Sequence, residues 1–199
     1  MVVDAADTEK VQIVLQNVSI DCSDHAALFI KQADKVFLTL AEGTENTLSS
    51  GSSYALGDDD SNVDGVIFSR ADLTMNGSGS LAVNAAYKHA VVSKDDLVVT
   101  GGQYAIKAEN GGGLYGKDCV KITGGAFTIA TGTDAIQANN AEKADQGYVI
   151  SPAVRSTSQP AQMPFRRKPC CASTAARSRS PAAAAVQTPA STNPERIRP

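Results

Sequence analysis

The chain has 199 residues and a formal net charge of −3, and it contains no Trp and four Cys. The cysteines show no CxxC or Cys/His spacing, so a zinc site is not expected. No apolar run approaches the length of a transmembrane helix, so membrane insertion is not expected either.

The apolar segments of the chain alternate with a period of two, as β-strands with one buried face do. Two irregular stretches of this kind come first, at residues 11–20 (VQIVLQNVSI) and 27–40 (ALFIKQADKVFLTL). Shorter strands follow and read GVIFSR, AVVSK, GLYGK and AIQAN, at residues 65–70, 90–94, 113–117 and 135–139. No stretch has the period of an amphipathic helix, so the sequence predicts an all-β protein.

Between these short strands lies a phrase that occurs three times. The copies read DLTMNGSGSLAV, DLVVTGGQYAI and CVKITGGAFTI, at residues 72–83, 96–106 and 119–129. Leu73, Leu97 and Val120 align, so the copies are 24 and then 23 residues apart. A repeat of this length, built from short strands and Gly turns, is typical of a β-solenoid, in which each coil buries its apolar face on the next.

Each coil therefore has about three short strands joined by tight turns. Gly77, Gly101 and Gly124 align in one column, which predicts a corner that needs a positive φ or a close backbone approach. The alternative is an antiparallel β-sandwich, which the register of the repeated turns disfavours. The predicted fold is a β-solenoid of about 23–24 residues per coil over residues 1–150.

Residues 151–199 show no apolar periodicity and are interpreted as a disordered tail. The tail holds eight Arg and Lys against one acid, Glu195, so a basic arm for nucleic acid or a cell surface is one interpretation. We favour a frameshift product, because suitable codons for residues 151–176, read from the third base, encode a string that resembles residues 124–138. On this hypothesis the solenoid is truncated at its C-terminal end, and nucleic acid is not a partner.

Several phrases of the chain match, in order, those of one protein family. They are ADTEKVQIVLQNVSI, KVFLTLAEGTENTLS, NGSGSLAVN, YKHAVVSKDDLVVTGG and GKDCVKITGGAFTI, within residues 7–150. In these phrases the chain resembles secreted bacterial carbohydrate-binding proteins. The resemblance implies a right-handed parallel β-helix distantly similar to pectate lyases, calcium binding, and binding of cellulose and acidic, pectin-type polysaccharide. The chain departs from the family at Ala90, where Gly is usual, and in the Gly-rich stretch 101–117.

Acidic residues near the predicted turns are the candidate calcium ligands, because Ca²⁺ takes about six to eight oxygens, many of them from carboxylates. Coil alignment stacks Asp95 with Asp118 and Asp72 with Asp96. Carboxylates about 4.8 Å apart would repel each other unless a cation lay between them. The alternative is that these acids pair with adjacent bases. The candidate metal ligands are Asp64, Asp72, Asp95, Asp96, Asp118 and Asp134. The run Asp58–Asp60 is interpreted as a solvated loop.

Basic residues after the short strands form a second column, of Arg70, Lys94 and Lys117. This column would attract a uronate chain, and a solvated face neutralised by neighbouring Asp is the alternative. Tyr87 could stack on a sugar ring, and His89 could donate a hydrogen bond or have only a structural role. The candidate carbohydrate-binding residues are Arg70, Tyr87, Lys88, His89, Lys94 and Lys117.

These observations favour a non-catalytic module that binds acidic or cellulosic polysaccharide and depends on Ca²⁺. A structural stalk or adhesin segment is one alternative, because fold alone does not specify function. A polysaccharide lyase is another, since β-elimination needs a base beside a calcium-bound carboxylate and Lys94 adjoins Asp95. The N-terminus lacks a signal-peptide pattern, so we interpret the chain as a fragment of a secreted or cell-surface protein.

Overall fold

The structure is a computed structural model, and it describes residues 1–55, 57, 62–140 and 147–150. In these ranges the chain forms 17 β-strands and no helix, which confirms the all-β prediction. Accordingly, the described part of the chain has no helix that could cross a membrane. The predicted loop at Asp58–Asp60 and the predicted tail at 151–199, with its frameshift interpretation, lie outside the described residues.

The strands follow one another in successive coils of three. The first three coils contain β1 (Val2–Asp4), β2 (Lys10–Leu15), β3 (Ser19–Cys22), β4 (Leu28–Gln32), β5 (Lys35–Leu40), β6 (Glu45–Ser50), β7 (Gly65–Ser69), β8 (Asp72–Gly77) and β9 (Ser80–Ala85). The later coils contain β10 (His89–Ser93), β11 (Leu97–Val99), β12 (Gln103–Ala108), β13 (Leu114–Gly116), β14 (Cys119–Ile122), β15 (Ala126–Thr131), β16 (Ile136–Ala138) and β17 (Tyr148–Ile150).

Each strand pairs in parallel with the corresponding strand of the next coil, which produces three parallel sheets. Sheet 1 contains β1, β4, β7, β10, β13 and β16, sheet 2 contains β2, β5, β8, β11, β14 and β17, and sheet 3 contains β3, β6, β9, β12 and β15. Leu97 pairs with Leu73 on one side and with Val120 on the other, as the repeat predicts. The prediction of a parallel β-solenoid with three strands per coil is therefore confirmed.

Alternate residues of each strand fill the interior, because successive side chains point to opposite faces of a sheet. In β11, Leu97 and Val99 are fully buried, whereas Val98 between them faces outward. Each buried aliphatic side chain of this kind contributes about 1.5–3 kcal/mol relative to an exposed one. The largest fully buried interior side chains are Leu28, Ile30, Leu38, Leu40, Leu48, Ile67, Leu73, Met75, Leu81, Leu97 and Leu114.

The predicted glycine column lies at the corner between sheets 2 and 3, and its conformation differs from coil to coil. Gly77 has a φ of +100°, and a Cβ there would collide with the Leu40 carbonyl oxygen. In the next two coils the positive φ lies one residue later, at Gly102 and Gly125. Because those coils have two consecutive glycines, the close backbone approach at Gly101 and the positive φ fall on different residues.

A second, smaller apolar cluster lies outside the solenoid, on the outer face of sheet 1. Phe29, Phe68 and Val92 occupy neighbouring register positions there and are buried although they face outward. Ala26 and Val63, from the connections that precede β4 and β7, complete the cluster. Sheet 1 is therefore buried on both faces over these coils, unlike the other two sheets.

Candidate functional site

Three carboxylates meet at the corner where sheet 1 passes into sheet 2. Asp72 begins β8, and Asp95 and Asp96 precede β11 in the next coil. One carboxylate oxygen of each residue lies within 4.8 Å of the other two. The backbone N–H of Asp96 also donates to Asp72 Oδ1 at 3.3 Å, which links the two coils. The structure thus brings together three of the six predicted metal ligands, here named the acid cluster.

Two buried serine hydroxyls build this corner. Ser69 and Ser93 pair in register at the ends of β7 and β10, and both are fully buried. Ser69 Oγ donates to the Ala71 carbonyl at 2.7 Å, and Ser93 Oγ lies 3.1 Å and 3.0 Å from the carbonyls of Ala71 and Asp96. The N–H of Asp95 donates to Ser93 Oγ at 3.3 Å. These bonds hold the backbone around Asp95 and so determine where the carboxylates lie.

Asp118 brings a fourth carboxylate to the corner from the following coil. Its N–H donates to the Asp95 carbonyl at 3.3 Å, and Asn140 Nδ2 donates to its Oδ1 at 2.6 Å. Burial raises the pKa of Asp95, and the charges of Asp72, Asp118 and Asp96 raise it further. Ionising Asp95 therefore costs free energy in the folded protein, and a divalent cation would offset that cost. Clustered carboxylate oxygens are the ligands that Ca²⁺ prefers, so this donor set fits Ca²⁺.

A lysine and a thiol lie on either side of the acid cluster. Lys35 pairs with Asp72 in register, and its Nζ lies 3.0 Å from Asp72 Oδ2. In the opposite direction, Cys119 takes the place of Asp96 in the next coil. Burial raises the pKa of the Cys119 thiol to about 12, and a hydrogen bond with Asp96 contributes to the shift. The thiol is therefore neutral, so this column of carboxylates consists of Asp72 and Asp96.

Asp64 and Asp134, the other two predicted ligands, are not members of the acid cluster. Both precede strands of sheet 1, whereas the cluster follows such strands. Asp64 Oδ1 lies 3.5 Å from Lys94 Nζ, and the Asp134 carbonyl accepts a hydrogen bond from the Gly113 N–H at 3.2 Å. Their position at the opposite end of the strands separates them from the corner that holds the other four acids.

The outer face of sheet 1 carries a series of aromatic rings, here named the aromatic surface. Phe29, Phe68, Val92 and Tyr115 occupy successive register positions across four coils. The rings of the two Phe residues lie 5.9 Å apart between centroids and are buried, whereas Tyr115 is partly exposed. An aromatic ring with one wet end is suited to stack on the apolar face of a sugar.

A second group of rings continues the aromatic surface at the start of the sheet 1 strands. The ring of Tyr54 lies 4.6 Å from that of Tyr87 and 6.0 Å from that of His25, between centroids. Lys88 Nζ lies 5.2 Å from the Tyr87 centroid. The Tyr54 hydroxyl donates to the Gly65 carbonyl at 3.1 Å, and burial raises its pKa to about 12. Tyr87 therefore packs within a cluster of protein side chains.

The bases Arg70, Lys94 and Lys117 form the column that the sequence predicts. The backbone N–H groups of Lys94 and Lys117 donate to the preceding strand of sheet 1 at 2.8 Å and 3.0 Å, so each base lies one coil beyond the last. Arg70 Nη2 donates to Asn62 Oδ1 at 3.1 Å, and its guanidinium carbon lies 5.3 Å from the Phe29 centroid. Bases and carboxylates therefore lie side by side along one edge of sheet 1.

Lys94 connects the aromatic surface to an acid. Its Nζ lies 5.1 Å and 5.8 Å from the ring centroids of Phe68 and Tyr115, and 3.5 Å from Asp64 Oδ1. Cation–π contacts of this kind contribute about 0.5–1 kcal/mol at exposed sites and more when desolvated. These contacts hold the Lys94 ammonium beside Tyr115.

His89 begins β10 and stacks on Tyr115, with 5.8 Å between ring centroids. The Gly112 N–H donates to His89 Nδ1 at 2.9 Å. Burial lowers the pKa of His89 and outweighs the opposing charge of Asp64. The imidazole is therefore neutral at pH 7, and because Nδ1 accepts a bond, Nε2–H is left as the donor of this side chain.

Sequence reasoning missed Tyr115, which the structure places between His89 and Lys94 on the aromatic surface. A signal was present, because Tyr115 follows Leu114, an interior position of the repeat, and must therefore face outward. An aromatic residue at an outward, partly exposed strand position is a candidate for ligand stacking.

Comparison with known proteins identifies relatives of this chain. A family model described as carbohydrate-binding domain-containing protein matches residues 1–152. A protein of the same description from Acetivibrio thermocellus is 37% identical over 109 residues, which make up 54% of this chain and 38% of that protein. A solved polysaccharide lyase-like protein from C. thermocellum, a gadolinium derivative, is similar with a TM-score of 0.72 and 37% identity.

That similarity covers 74% of this chain and 60% of the solved chain, so this chain spans less than two thirds of either relative. The family model, in contrast, covers all the coils described above. The chain therefore belongs to the family of carbohydrate-binding domain-containing proteins.

Proposed function

We propose that this chain binds acidic polysaccharide on the outer face of sheet 1, without catalysing its cleavage, and holds Ca²⁺ at the adjacent corner. The observation that carries the proposal is the position of the partly exposed Tyr115 ring beside the column of bases. A uronate unit has an apolar ring face that suits an aromatic side chain and a carboxylate that suits a cation. Family membership supports a polysaccharide as the partner.

The column of bases favours an acidic sugar over a neutral one at this surface. Arg70, Lys94 and Lys117 repeat once per coil, so positive charge recurs along the solenoid axis, the direction in which an extended chain would lie. Such a row attracts a polyanion over distances of about a Debye length, near 8 Å at physiological salt. His89 adds a neutral donor next to Tyr115.

The acid cluster is the proposed calcium site. Asp72, Asp95 and Asp96 lie close enough to share one ion, and Asp118 adds a carboxylate next to Asp95. Bound Ca²⁺ would supply positive charge between successive coils and offset the two effects that raise the Asp95 pKa, its burial and its repulsion by the neighbouring carboxylates. Because each base precedes one of these acids by one or two residues, holding the corner rigid also holds the basic column in place.

Two alternatives are less well supported. A lyase needs an amine available to abstract a proton, but the Lys94 ammonium pairs with Asp64 and lies over two aromatic rings. A stalk without a ligand would not require bases and a partly exposed aromatic ring on the same face.

We further propose that the protein acts outside the cell or at its surface, where such polysaccharides occur.

Binding to polygalacturonate tests the proposal. The full chain should bind in calcium and bind more weakly in chelator and in high salt. Tyr115→Ala should lower affinity by about 1 kcal/mol, roughly fivefold, through loss of stacking. Phe37→Ala, which removes an aromatic ring from the outer face of sheet 2, should leave affinity unchanged. Lys117→Ala should weaken binding, with Lys121→Ala on sheet 2 as its matched control.

Three results would contradict the proposal. No binding in either buffer would favour the stalk, and equal binding in calcium and chelator would remove the metal from the mechanism. Release of unsaturated product, measured by its absorbance, would show that the protein is a lyase.

A further inference from the structure

A fourth base continues the basic column of sheet 1 by one coil toward the N-terminus. Ser69, which precedes Arg70, pairs with Ile30 of β4. Lys31 follows Ile30, so it holds the position of Arg70 one coil earlier. The Arg70 backbone N–H donates to the Ile30 carbonyl at 3.0 Å, which is the bond that links each base of the column to the coil before it. Lys31 is exposed and lies two residues after Phe29, on the same outer face of the sheet.

The four bases are bounded at both ends by groups without positive charge. In the first coil the neighbour of Lys31 is Asp4, whose Oδ2 lies 3.6 Å from Lys31 Nζ. At the other end, the Asn139 N–H donates to the Gly116 carbonyl at 3.3 Å, so Asn139 takes the position of Lys117 one coil later. Along the solenoid axis the column therefore reads acid, four bases and amide. A polyanion is attracted along the bases and repelled by the acid.

The ion pair between Lys31 and Asp4 is the more exposed of two such pairs in this column. The side chains of Lys31 and Asp4 are 43% and 54% exposed. Those of Lys94 and Asp64, which form an ion pair farther along the column, are 29% and 23% exposed. Exposed ion pairs contribute little to stability, so the carboxylate of a ligand can replace Asp4 beside Lys31 at small cost.

Given the function proposed above, on which this inference rests, we propose that Lys31 is a fourth cation of the polysaccharide site and that Asp4 ends it. The site then holds four consecutive uronate units. Neighbouring coils lie about 4.8 Å apart, so the four bases span about 14 Å. The flexible stem of lysine accommodates small differences between this spacing and that of the sugar carboxylates. A fifth unit meets Asp4 or Asn139 and gains no ion pair.

Calorimetric titration of the full chain with galacturonate oligomers, from dimer to pentamer and in calcium, tests the length of the site. Affinity should rise about two- to fivefold with each unit up to the tetramer, because each added carboxylate meets another exposed base. The pentamer should bind within about twofold of the tetramer, since the column of bases has ended. This series needs no substitution.

Two substitutions with opposite expected effects test the residues. Lys31→Ala should weaken tetramer binding about three- to fivefold and trimer binding less than twofold, because a trimer still meets three bases. Asp4→Asn should strengthen tetramer binding about two- to threefold, because Lys31 is then released from its carboxylate partner. Lys107→Ala removes an exposed lysine on sheet 3 that likewise pairs with an acid, Glu109 at 3.0 Å, and should leave both affinities unchanged. The substituted residues are exposed, so all three variants should retain the wild-type melting temperature.

A trimer that binds as tightly as the tetramer overturns the assignment of Lys31 and leaves the proposed function intact. Tetramer affinity that is the same in Lys31→Ala and wild type has the same meaning. Weaker tetramer binding by Asp4→Asn would show that Asp4 is part of the site and does not end it. Absence of binding by every oligomer would instead refute the proposed function, so the two failures are distinguishable.

Discussion

Lys35 Nζ lies 3.0 Å from Asp72 Oδ2, and the two residues pair directly in neighbouring coils of sheet 2. The hydrogen bond with Asp72 raises the pKa of Lys35, so the lysine is fully charged at neutral pH. The protein thus supplies one cation to the acid cluster from the preceding coil. Asp95 and Asp96 are left to be neutralised by another cation. A metal ion bound through Asp72 would compete with the Lys35 ammonium for the Asp72 carboxylate.

Replacement of Lys35 by Met tests that competition. The change keeps an apolar stem and removes the charge, so metal-free protein should melt at a slightly lower temperature. The loss in the free energy of unfolding should be below about 1 kcal/mol, because the Lys35–Asp72 ion pair is partly exposed. Calcium affinity should rise, because the ion no longer competes with an ammonium group. Calorimetric titration with Ca²⁺ measures this, and Lys10→Met, one coil earlier in the same column, should change neither quantity.

Asp95→Asn should change stability in opposite directions with and without calcium. In chelator the variant should melt higher than wild type. Asn has nearly the shape of Asp but lacks the charge that burial and the neighbouring carboxylates disfavour. In calcium it should melt lower, since it loses a ligand and with it the stabilisation that the bound ion gives the native state. Asp7→Asn, an exposed acid in the first coil, should behave as wild type in both buffers. A shift of the same sign in both buffers would mean that Asp95 is not a ligand.

The pH dependence of metal-free stability follows from the raised pKa of Asp95, whose ordinary value is 3.8. Between that value and the raised one, the native state binds more protons than the unfolded chain, so stability falls as pH rises through this window. Lowering the pH from 7 into the window should therefore narrow the difference in melting temperature between wild type and Asp95→Asn. A difference in melting temperature that stays constant with pH would contradict the raised pKa of Asp95.

The titration of His89 changes the stability with pH in the direction opposite to that of Asp95. Its pKa lies below the ordinary value of 6.5, so the unfolded chain takes up the proton first and acidification below that value destabilises the protein. This effect is common to wild type and to Asp95→Asn, so it cancels in the comparison between them.

In the regular coils, the sequence repeat is sufficient to predict which residues lie next to each other in a sheet, because each of these coils has nearly the same length. Leu73, Leu97 and Val120 stack as their spacing requires, and Asp72 and Asp96 share a corner for the same reason. Such alignment specifies which residues are neighbours across coils and which face of a sheet they occupy.

The rest of the site could not be predicted in this way. Lys35 joins the acid cluster although it precedes Asp72 by more than one regular repeat, because the connection between β6 and β7 is longer than those of later coils. Lys94 is paired with Asp64 from the preceding coil, a contact set by the reach of a long side chain. Tyr54, on that irregular connection, completes the aromatic surface. Long side chains and irregular connections carry no periodic signal.

The inward face of the solenoid gives the sharpest test of the fold. Val99→Asp places an ionised carboxylate among the apolar side chains of the interior, where Val99 is fully buried between Met75 and Ile122. An unpaired charge in such a place costs several kcal/mol, a large share of the stability of a domain, so the variant should be unfolded at room temperature. Val98→Asp makes the same chemical change one residue away on the outer face, and should melt close to wild type. Circular dichroism melting of the two variants compares them directly. Equal melting temperatures would show that β11 does not place Val99 in the interior, and that the register of the whole repeat is wrong by one residue.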